Sequence, residues 1–357
     1  MNKKNIYKLD QNKLKEAISE LGQKPFRAKQ LWGWLYDKGV SSFQEMTNLP
    51  ASLLEALNKE FSLGSLEIET EQVSTDGTIK RLYKLPDGQL IESVLMQYED
   101  GRRTACISSQ AGCALGCVFC ATGQMGFARH LTSDEIFEQA LLYSNLLKQK
   151  GERLSNIVYM GMGEPFHNFD PVMESVNSLR DLLGIGSRHI TISTAGMVPQ
   201  IRKFANLNSQ VNLAIRLHEI NDSTRSELMP INKTHSLTDL LDACHYYVKT
   251  TNRRISFEWA LIKGKNDSSE QARDLATFLK GLHCHVNLIP LNETTGYNEN
   301  SAQSDNCERF AGVLNKRGIP ATLRRKRGID ISAGCGQLKS EIRNKIKKTS
   351  QKENTPS

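Results

Sequence analysis

Apolar residues recur at helical spacing in the amino-terminal part of the chain. Residues on one face of an α-helix lie three or four positions apart, and three successive sets of apolar residues follow this rule. They are Leu14, Ile18 and Leu21, then Leu31, Trp32 and Leu35, and finally Leu53, Leu54, Leu57 and Phe61. The pattern predicts a small helical domain over residues 1–62.

The pattern changes over residues 63–98, where strand-like runs are separated by turn signals. Asp76-Gly77 and Pro86-Asp87-Gly88 are residue combinations that favour tight turns. Strand-like runs on both sides of such turns are typical of hairpins. We therefore expect a small β connector over residues 63–98.

Strand-like and helical runs alternate from residue 99 onward. The strand-like runs are Thr104–Ser108, Asn156–Met160, His189–Ser193, Val211–Leu217, Arg254–Ile262 and His285–Leu291, with helical stretches such as Thr132–Leu147 and Ser268–Leu282 between them. This alternation predicts an α/β core over residues 99–338 with a parallel sheet, open or curled into a partial barrel. A last strand, Ala321–Arg325, leads into a glycine-rich loop. Functional loops should gather beyond the carboxyl ends of the parallel strands.

Composition narrows the class of protein. Of 357 residues 39% are hydrophobic, which is enough for a substantial core, and the composition is that of a soluble globular protein. No window approaches the ~20 consecutive apolar residues that a membrane-spanning helix needs. The chain begins with charged residues rather than an apolar signal core, so we expect a cytoplasmic protein with no membrane partner.

Part of the positive charge is clustered towards the carboxyl terminus of this chain, whose net charge is +7. Arg324-Arg325-Lys326-Arg327 form a compact run, and residues 339–357 are expected to form a basic flexible tail. The tail carries Lys339, Arg343, Lys345, Lys347, Lys348 and Lys352. Such clusters suit a phosphate backbone, because each neutralised phosphate releases counterions. Ordinary solubilising charge is the alternative.

Eight cysteines in a reducing compartment favour metal or redox chemistry over a disulfide framework. Cys113, Cys117 and Cys120 have the spacing CxxxCxxC and follow the first core strand. Three thiolates on one loop can ligate three irons of a 4Fe-4S cluster, and without a fourth cysteine nearby one iron stays open. An open iron can chelate the amino and carboxylate groups of S-adenosylmethionine and reduce its sulfonium. A zinc site or incidental buried cysteines are the alternatives.

Other candidate residues stand at the ends of the predicted strands. One strand runs into Gly161-Met162-Gly163-Glu164-Pro165, where the glycines let the backbone approach a ligand closely. Ser193, His218 and Asn292 stand at further strand ends, although each of them alone is more often a structural polar residue.

Two single cysteines form a third feature. Cys106 lies in the first core strand, and Cys335 lies between Gly334 and Gly336. A lone cysteine is usually a small core residue. Glycines on both sides of Cys335 favour an accessible and reactive thiol instead. Their spacing in the sequence does not show whether the two cysteines meet.

Several runs of the sequence together resemble one family. The position of Phe119 before the last clustered cysteine matches the radical S-adenosylmethionine (SAM) enzymes. The runs CALGCVFCATG, MGMGEP, LMPIN, VNLIP, RGIDI and CGQL resemble the RlmN family of 23S rRNA adenine methyltransferases. The runs FRAKQLWGWLY and FQEMTNLP resemble the helical amino-terminal domain of that family, so the resemblance extends over nearly the whole chain.

The resemblance implies a set of site residues. Cys113, Cys117 and Cys120 correspond to the ligands of the 4Fe-4S cluster. Cys335 corresponds to a cysteine that is transiently S-methylated, Cys106 to its redox partner, and Glu92 to the proposed proton acceptor. The positions that match contacts to S-adenosylmethionine are Gly163, Glu164, Ser193, Arg216, Leu217, His218 and Asn292.

The resemblance also implies the reaction and the partners. Carbon 2 of adenine has no nucleophilic lone pair, so transfer of a methyl cation to it fails. In the family one S-adenosylmethionine methylates the cysteine that corresponds to Cys335, and a second yields the radical that activates this methyl group for addition to carbon 2. Glu92 accepts the ring proton, and Cys106 attacks Cys335 so that the product leaves and a disulfide forms. The expected partners are 23S rRNA, tRNA and an electron donor such as flavodoxin or ferredoxin, with residues 1–62 as an RNA-binding accessory domain.

The sequence departs from the family pattern at three places, and alternatives remain open. Arg216 stands where the family usually has serine, and it could repel a sulfonium or grip a ribose or phosphate. Glu293 follows Asn292 in place of a usual proline, and Ser332-Ala333-Gly334 replaces aspartate-alanine-alanine. A related Cfr-type enzyme would methylate carbon 8, although Gly163-Glu164-Pro165 favours carbon 2. A non-catalytic iron-sulfur RNA-binding or electron-transfer protein and a basic RNA chaperone are alternatives of other classes.

Overall fold

The computed structural model describes residues 3–339, and the first of them form a helical module. The module contains strands β1 (Lys4–Asn5) and β2 (Phe61–Ser62) and helices α1 (Gln11–Glu20), α2 (Phe26–Trp32) and α3 (Ala51–Glu60). β1 and β2 pair in parallel, so the two ends of the module meet. Asp10 caps α1 by accepting hydrogen bonds from the backbone N–H groups of Asn12 and Lys13. The three helices predicted from the apolar spacing are therefore present.

The next three strands form an antiparallel meander. They are β3 (Glu67–Val73), β4 (Ile79–Lys84) and β5 (Leu90–Gln97), and they turn at the predicted Asp76-Gly77 and Asp87-Gly88 positions. β5 then pairs antiparallel with β6 (Arg103–Cys106), the first strand of the core. The strands expected as a small connector therefore continue the main sheet, a continuity that the sequence did not indicate.

The core alternates strands and helices along the chain. After β6 come β7 (Gln110–Gly112), α4 (Ala121–Gln124), β8 (Phe127–His130), α5 (Ser133–Lys148), β9 (Asn156–Tyr159), α6 (Phe169–Leu183), β10 (Ile190–Thr194), α7 (Val198–Asn206), β11 (Asn212–Arg216), α8 (Asp222–Leu228), α9 (Leu237–Thr251), β12 (Ile255–Leu261), α10 (Ser269–Phe278), β13 (Cys284–Pro290), α11 (Ser304–Lys316) and β14 (Ala321–Leu323). Within residues 3–339 ten strands form one sheet in the order β14-β13-β12-β11-β10-β9-β6-β5-β4-β3. Within this sheet β6 and β9 to β14 are parallel, and the predicted α/β fold class, with a parallel sheet that is open or curled into a partial barrel, is confirmed.

Local signals in the sequence set several helix starts. Thr132 and Glu135 form a capping box at the start of α5, and Ser268 and Gln271 form one at the start of α10. The six predicted core strands occur within a few residues of their expected bounds. β7 and β8 were not predicted, and they form a separate pair around the loop that carries the clustered cysteines.

The helical module packs against α5. Tyr36 of the module faces Phe137 of α5 with ring centroids 6.4 Å apart, and Lys148 Nζ donates a hydrogen bond to the carbonyl of Tyr36. Buried side chains of the module and of the core belong to one continuous apolar cluster. The module is therefore fixed to the outer face of the sheet rather than held by a linker.

The structure shows the position of the basic run but not of the whole predicted tail. The basic run Arg324–Arg327 follows β14 directly, and the predicted tail lies outside the described residues from residue 340 onward. None of the helices in the described range 3–339 has the length and apolar character that crossing a membrane requires.

Candidate active site

The three clustered cysteines lie on one tightly wound loop between β7 and α4. The backbone N–H of Cys113 donates to the carbonyl of Gly126 at 2.9 Å, which fixes the start of the loop against β8. A Cβ at Gly123 would lie 2.9 Å from the carbonyl oxygen of Cys117, closer than such atoms approach in proteins. Glycine at residue 123 therefore allows α4 to fold back onto the loop.

The loop forms one wall of a cavity of about 970 Å³, which we call the cysteine cavity. Its other walls are residues at the carboxyl ends of β9 to β13, where a parallel sheet offers its functional loops. Of the residues that the sequence singled out, nine line this cavity: Cys113, Cys117, Cys120, Gly163, Ser193, Arg216, His218, Asn292 and Cys335.

The cysteine cavity has the donors that an iron-sulfur cluster needs. No group of three histidine, cysteine, aspartate or glutamate side chains among residues 3–339 is arranged to hold a metal ion. A cubane is bound differently, because each cysteine ligates a separate iron. Burial raises the pKa of Cys113 to about 11 and that of Cys117 to about 12, so binding iron must displace their protons. Three thiols around one open cavity fit a cluster better than a closed zinc site.

A buried ion pair lies at the ends of β10 and β11. The Glu164 carboxylate is fully buried and accepts hydrogen bonds from the backbone N–H groups of Phe166 at 3.1 Å and Ala195 at 2.9 Å. Arg216 Nη2 lies 3.5 Å from Glu164 Oε2, and the guanidinium also donates to Ser193 O and Oγ at 3.0 and 3.3 Å. Glu164 thus lies behind the wall, and Arg216 presents the positive charge to the cavity.

His218 is a neutral side chain in this wall. Burial, and then the charges of Arg225 and Arg216, lower the pKa of His218 to about 3. Its Nδ1 accepts a hydrogen bond from the backbone N–H of Ala260 at 2.9 Å, so the ring proton resides on Nε2. The backbone φ of +60° places His218 in the left-handed region, which is uncommon for residues other than glycine. The strand end is therefore shaped to present one imidazole donor.

Leu217 lies between two cavity residues but points elsewhere. Its side chain is fully buried, and it does not line the cysteine cavity. Its carbonyl accepts a hydrogen bond from Arg225 Nε at 3.0 Å, and Arg225 also donates to the carbonyl of Ala195. Leu217 and Arg225 therefore hold the strand ends in place behind Arg216 and His218.

Cys335 reaches the cysteine cavity from a loop that is tied down on several sides. Asn292 Nδ2 donates to the carbonyl of Cys335 at 3.0 Å, and the backbone N–H of Ala121 donates to the carbonyl of Gly336 at 2.7 Å. Thr122 Oγ1 donates to the carbonyl of Leu338 at 2.7 Å. Cys335 is exposed as a residue, while burial around its sulfur atom, and then the charge of Glu258, raise the pKa of its thiol. The loop thus holds an accessible thiol beside the cluster loop.

A second cavity of about 1860 Å³ contains both single cysteines, and we call it the axial cavity. Cys106, in β6, and Cys335 both line it, together with Asn292 and Arg324. Both thiols are free, and Cys106 is buried, which raises the pKa of its thiol, as does the neighbouring Cys335. The structure therefore brings together two cysteines whose proximity the sequence left open.

Glu92, by contrast, lines neither cavity. Its carboxylate is buried and lies 3.6 Å from Lys80 Nζ, and it accepts a hydrogen bond from the backbone N–H of Lys339 at 2.9 Å. Glu92 thus contacts the segment that follows Cys335 rather than the open space beside the thiol.

Sequence reasoning missed Glu258, in the middle of β12. It lines both the cysteine cavity and the axial cavity, and its carboxyl group lowers the acidity of the Cys335 thiol. Asn287 Nδ2 donates to Glu258 Oε1 at 2.9 Å. A single acidic residue within the apolar strand Ile255–Leu261 was the signal that could have found it.

Comparison with known protein families gives two matches. Residues 4–63 match the family described as the ribosomal RNA large subunit methyltransferase N-terminal domain. Residues 107–276 match the radical SAM superfamily, whose name implies a 4Fe-4S cluster and S-adenosylmethionine as cofactors.

Individual relatives match almost the full length. The dual-specificity RNA methyltransferase RlmN 1 of Myxococcus xanthus (strain DK1622) is 45% identical over 97% of this chain and 97% of its own. The probable dual-specificity RNA methyltransferase RlmN of Staphylococcus carnosus (strain TM300) is 45% identical over 96% of this chain and 94% of its own. The crystal structure of a radical SAM methyltransferase from Sphaerobacter thermophilus aligns with a TM-score of 0.89 and 44% identity, over 95% of this chain and 100% of that one. The chain therefore belongs to the RlmN family of radical SAM methyltransferases.

Proposed function

We propose that the protein methylates carbon 2 of an adenine in 23S rRNA, and an adenine of the tRNA anticodon loop as a second substrate. The observation that carries this proposal is the position of Cys335, which lines the cysteine cavity together with Cys113, Cys117 and Cys120. A thiol beside the expected cluster has no purpose in a simple electron carrier. It is well placed to carry a methyl group between a cofactor and a substrate.

The cofactor set follows from the lining of the cysteine cavity. Cys113, Cys117 and Cys120 ligate the 4Fe-4S cluster, and Gly163, Ser193, Arg216, His218 and Asn292 surround S-adenosylmethionine. Glu164 and Leu217 act from behind this wall, since Glu164 holds Arg216 and Leu217 shapes the strand end. When bound, the cluster and S-adenosylmethionine supply the methyl group and an organic radical. A reduced flavodoxin or ferredoxin is the expected electron donor.

Cys335 and Cys106 have different roles in the transfer of the methyl group. The Cys335 thiolate attacks the methyl carbon of one S-adenosylmethionine, S-adenosylhomocysteine leaves, and the Cys335 sulfur holds the methyl group as a thioether. After a second S-adenosylmethionine has been consumed, the methylene carbon is bonded both to the Cys335 sulfur and to adenine carbon 2. The Cys106 thiolate then attacks the Cys335 sulfur, so that the carbon–sulfur bond breaks with its electron pair on carbon, and that carbon takes up a proton to become the methyl group. A Cys106–Cys335 disulfide forms, which a reductant must reopen. The shared axial cavity supports this step, because both thiols face the same space.

The ring proton needs an acceptor, and Glu92 is the proposed one. Its carboxylate contacts Lys80 and the backbone of Lys339. To reach the adenine ring, the segment after Cys335 has to move when RNA enters. Movement of that segment would remove the contact between Lys339 and the Glu92 carboxylate.

The proposed layout assigns RNA recognition to several parts of the chain. Residues 1–62 form the RNA-binding accessory domain, residues 63–98 the β connector, residues 99–338 the catalytic core and residues 339–357 a basic tail. The two relatives from Myxococcus xanthus and Staphylococcus carnosus support RNA as the substrate, since both are named as RNA methyltransferases. We expect the reaction to take place in the cytoplasm.

The test uses the full chain with its cluster reconstituted under anaerobic conditions. Ribosomal RNA and tRNA are incubated with S-adenosylmethionine carrying a labelled methyl group and dithionite, and the nucleosides are identified by mass spectrometry. We expect labelled 2-methyladenosine and formation of 5′-deoxyadenosine. Labelled 8-methyladenosine would overturn the choice of carbon, and the absence of both products would favour a non-catalytic iron-sulfur protein.

Variants of the two cysteines test the covalent route. Cys106→Ala should accumulate RNA covalently attached to the protein, because no thiol is left to release it. Cys335→Ala should carry neither a methyl group nor RNA. Cys284→Ala is the matched control, since this buried cysteine of β13 lines neither cavity. Free release of methylated RNA by Cys106→Ala would contradict the proposed route.

A further inference from the structure

Three cavities that share wall residues, which together we call the passage, extend from the amino-terminal edge of the sheet to its carboxyl-terminal edge. A third cavity of about 1030 Å³, the arginine basin, lies where β10, β11 and β12 begin. Arg188, Arg253, Arg254 and Arg324 line it. The axial cavity shares Arg188 and Arg324 with this basin, and it shares Cys335 and Asn292 with the cysteine cavity.

Glu258 lies at the junction of these spaces. Among the described residues, Met160 and Glu258 line all three cavities, and Glu258 is the one with an ionisable side chain. A carboxyl group is an unusual side chain for the middle of a passage whose mouth is positive. Burial of a charged carboxyl group is costly unless it is paired and hydrogen-bonded, and buried carboxyl groups with shifted pKa values cluster at functional sites.

The contacts of Glu258 leave part of its carboxyl group available. Asn287 Nδ2 donates to Oε1 at 2.9 Å, and Arg324 Nη2 lies 4.0 Å from the same oxygen. Within residues 3–339 no side chain or backbone group hydrogen-bonds to Oε2. Asn287 is itself fixed, because its Oδ1 accepts a hydrogen bond from Thr322. The carboxyl group is therefore held by one oxygen and open to the passage at the other.

We infer that Glu258 docks the target adenine by its Watson–Crick edge, with the phosphates of the flipped nucleotide in the arginine basin. The inference rests on the proposed function, and it deepens that proposal by naming the group that recognises the base. A base that enters from the basin reaches Glu258 on the way to Cys335. Enzymes that modify a base take it out of the stack and read its edge in a pocket.

The chemistry of the adenine edge matches a neutral carboxyl group. Burial raises the pKa of Glu258 and favours its protonated form, whereas Arg324, Asn287 and Arg216 favour the ionised form. When the carboxyl group is protonated, Oε2 can donate a hydrogen bond to N1, and Oε1, which has a second lone pair beside the Asn287 contact, can accept one from the N6 amino group. Carbon 2 is the neighbour of N1 on this edge, so the docked base presents carbon 2 beside the anchored side chain. Cys335 faces the same space.

The other edge of adenine gives a distinct outcome. A carboxyl group can also pair with N7 and N6, and that pairing presents carbon 8 beside N7. The two edges are separable by analogues, because 1-deazaadenosine lacks N1 and 7-deazaadenosine lacks N7. The experiment can therefore disprove the contact with Glu258, or the choice of the Watson–Crick edge, independently of whether the enzyme methylates RNA.

The experiment measures binding of a short hairpin of 23S rRNA that contains the adenosine methylated by the wild-type protein in the assay above. Binding is compared rather than turnover, because removing N1 also alters the reactivity of carbon 2. Glu258→Met keeps the size of the side chain but removes both hydrogen bonds, and Glu258→Gln keeps one donor and one acceptor. We expect Glu258→Met to weaken binding roughly 5- to 150-fold, the range for one bidentate base contact, and Glu258→Gln to stay within about tenfold of wild type.

Analogue hairpins separate base docking from a structural role. Purine riboside lacks the N6 amino group. A hairpin with purine riboside instead of the target adenosine should therefore bind more weakly to the wild-type protein, but no more weakly to Glu258→Met. Replacement by 1-deazaadenosine should behave in the same way, and 7-deazaadenosine should bind like adenosine.

Four results would overturn the inference, with thermal unfolding as the check on folding. The first is unchanged binding by Glu258→Met, and the second is an equal loss in Glu258→Gln. The third is an additive loss from Glu258→Met and purine riboside, which marks a structural effect. The fourth is sensitivity to 7-deazaadenosine alone, which moves the contact to the other edge. Failure of the proposed function would instead leave wild type without any methylated adenosine.

Discussion

At the scale of single residues, Arg216 changes the character of the cysteine cavity. The family usually has serine at this position, and the sequence left open whether the arginine repels a sulfonium or grips a ribose or an RNA phosphate. The guanidinium is turned towards Ser193 and lies 3.5 Å from the fully buried Glu164 carboxylate. The two charges largely offset each other, so Arg216 reduces the anionic field of Glu164 instead of adding a free cation.

Replacing Arg216 should show how much this ion pair contributes to the free energy of unfolding. In Arg216→Met the Glu164 carboxylate keeps two backbone donors but loses its cation, and such a loss costs about 1–3 kcal/mol. We expect the free energy of unfolding of the reduced protein, measured with urea, to fall by that amount. Arg180→Met, on the exposed face of α6, is the control and should have little effect. A stability of Arg216→Met equal to that of the control would show that the pair contributes nothing.

The candidate site was predictable where its chemistry depends on cysteine spacing or on a strand end. CxxxCxxC and the glycines around Cys335 stand out in the sequence, and the structure brings these thiols to one cavity. A role for Glu258 could not be predicted from the sequence, because it depends on which face of β12 lines the cavities. The contacts of Glu92 with Lys80 and Lys339 join distant parts of the chain, so local sequence could not indicate them.

At the scale of elements, one glutamate on α5 fastens the helical module and the meander to the core. Glu138 is almost completely buried and accepts hydrogen bonds from the backbone N–H groups of Ser65 at 2.6 Å and Leu66 at 2.9 Å. Asn5 Nδ2 donates to its other oxygen at 3.4 Å. A Cβ at Gly64 would lie 1.9 Å from Glu138 Oε1, so glycine is needed where the chain passes over the carboxylate.

Truncating Glu138 should loosen this junction. Glu138→Ala removes the acceptor of the partly buried backbone N–H groups of Ser65 and Leu66, and because water can replace part of the loss the cost is at the lower end of about 1–3 kcal/mol for each group. We expect faster amide hydrogen exchange at these two residues and in α3, with the core strands less affected. Asp181→Ala, at an exposed position of α6, is the matched control. Unchanged exchange at Ser65 and Leu66 in Glu138→Ala would contradict this account of the junction.

The elements themselves followed from periodicity, but their assembly did not. Apolar spacing and strand-like runs predicted the helices of the module and the parallel strands of the core, because both patterns are local. The antiparallel pairing of β5 with β6 was not visible, since strand pairing depends on partners rather than on the strand alone. β7 and β8 were not predicted, because each is short and contains glycine or polar residues rather than an alternation of apolar and polar residues.

At the scale of the whole molecule, the cluster of arginine side chains and the candidate active site lie at opposite ends of the axial cavity. The arginine basin is at the amino ends of the strands, and the cysteine cavity is at their carboxyl ends. The basic run that begins at Arg324 lines the axial cavity between them, which gives the RRKR run a place beside the proposed base-binding site. Lys326 is held by the carbonyl of Leu291 at 2.8 Å, and Arg327 stacks on Tyr98. A polyanion would therefore be drawn to the basin while one base extends towards Cys335.

Salt dependence of RNA binding tests this separation of roles. Arg254 is exposed, lines the basin and, among residues 3–339, forms no hydrogen bond or salt bridge through its side chain, so its loss should leave the fold intact. If it neutralises one phosphate, Arg254→Ala should reduce the slope of log K against log salt by about 1 and weaken binding of all RNA sequences alike. The loss should also be the same for hairpins with adenosine or purine riboside at the target position, because a phosphate contact does not read the base. Arg180→Ala removes an equal charge from α6, outside all three cavities, and should leave the slope unchanged. Fluorescence anisotropy across a salt series measures both slopes, and equal slopes for the two variants would place the RNA backbone elsewhere on the molecule.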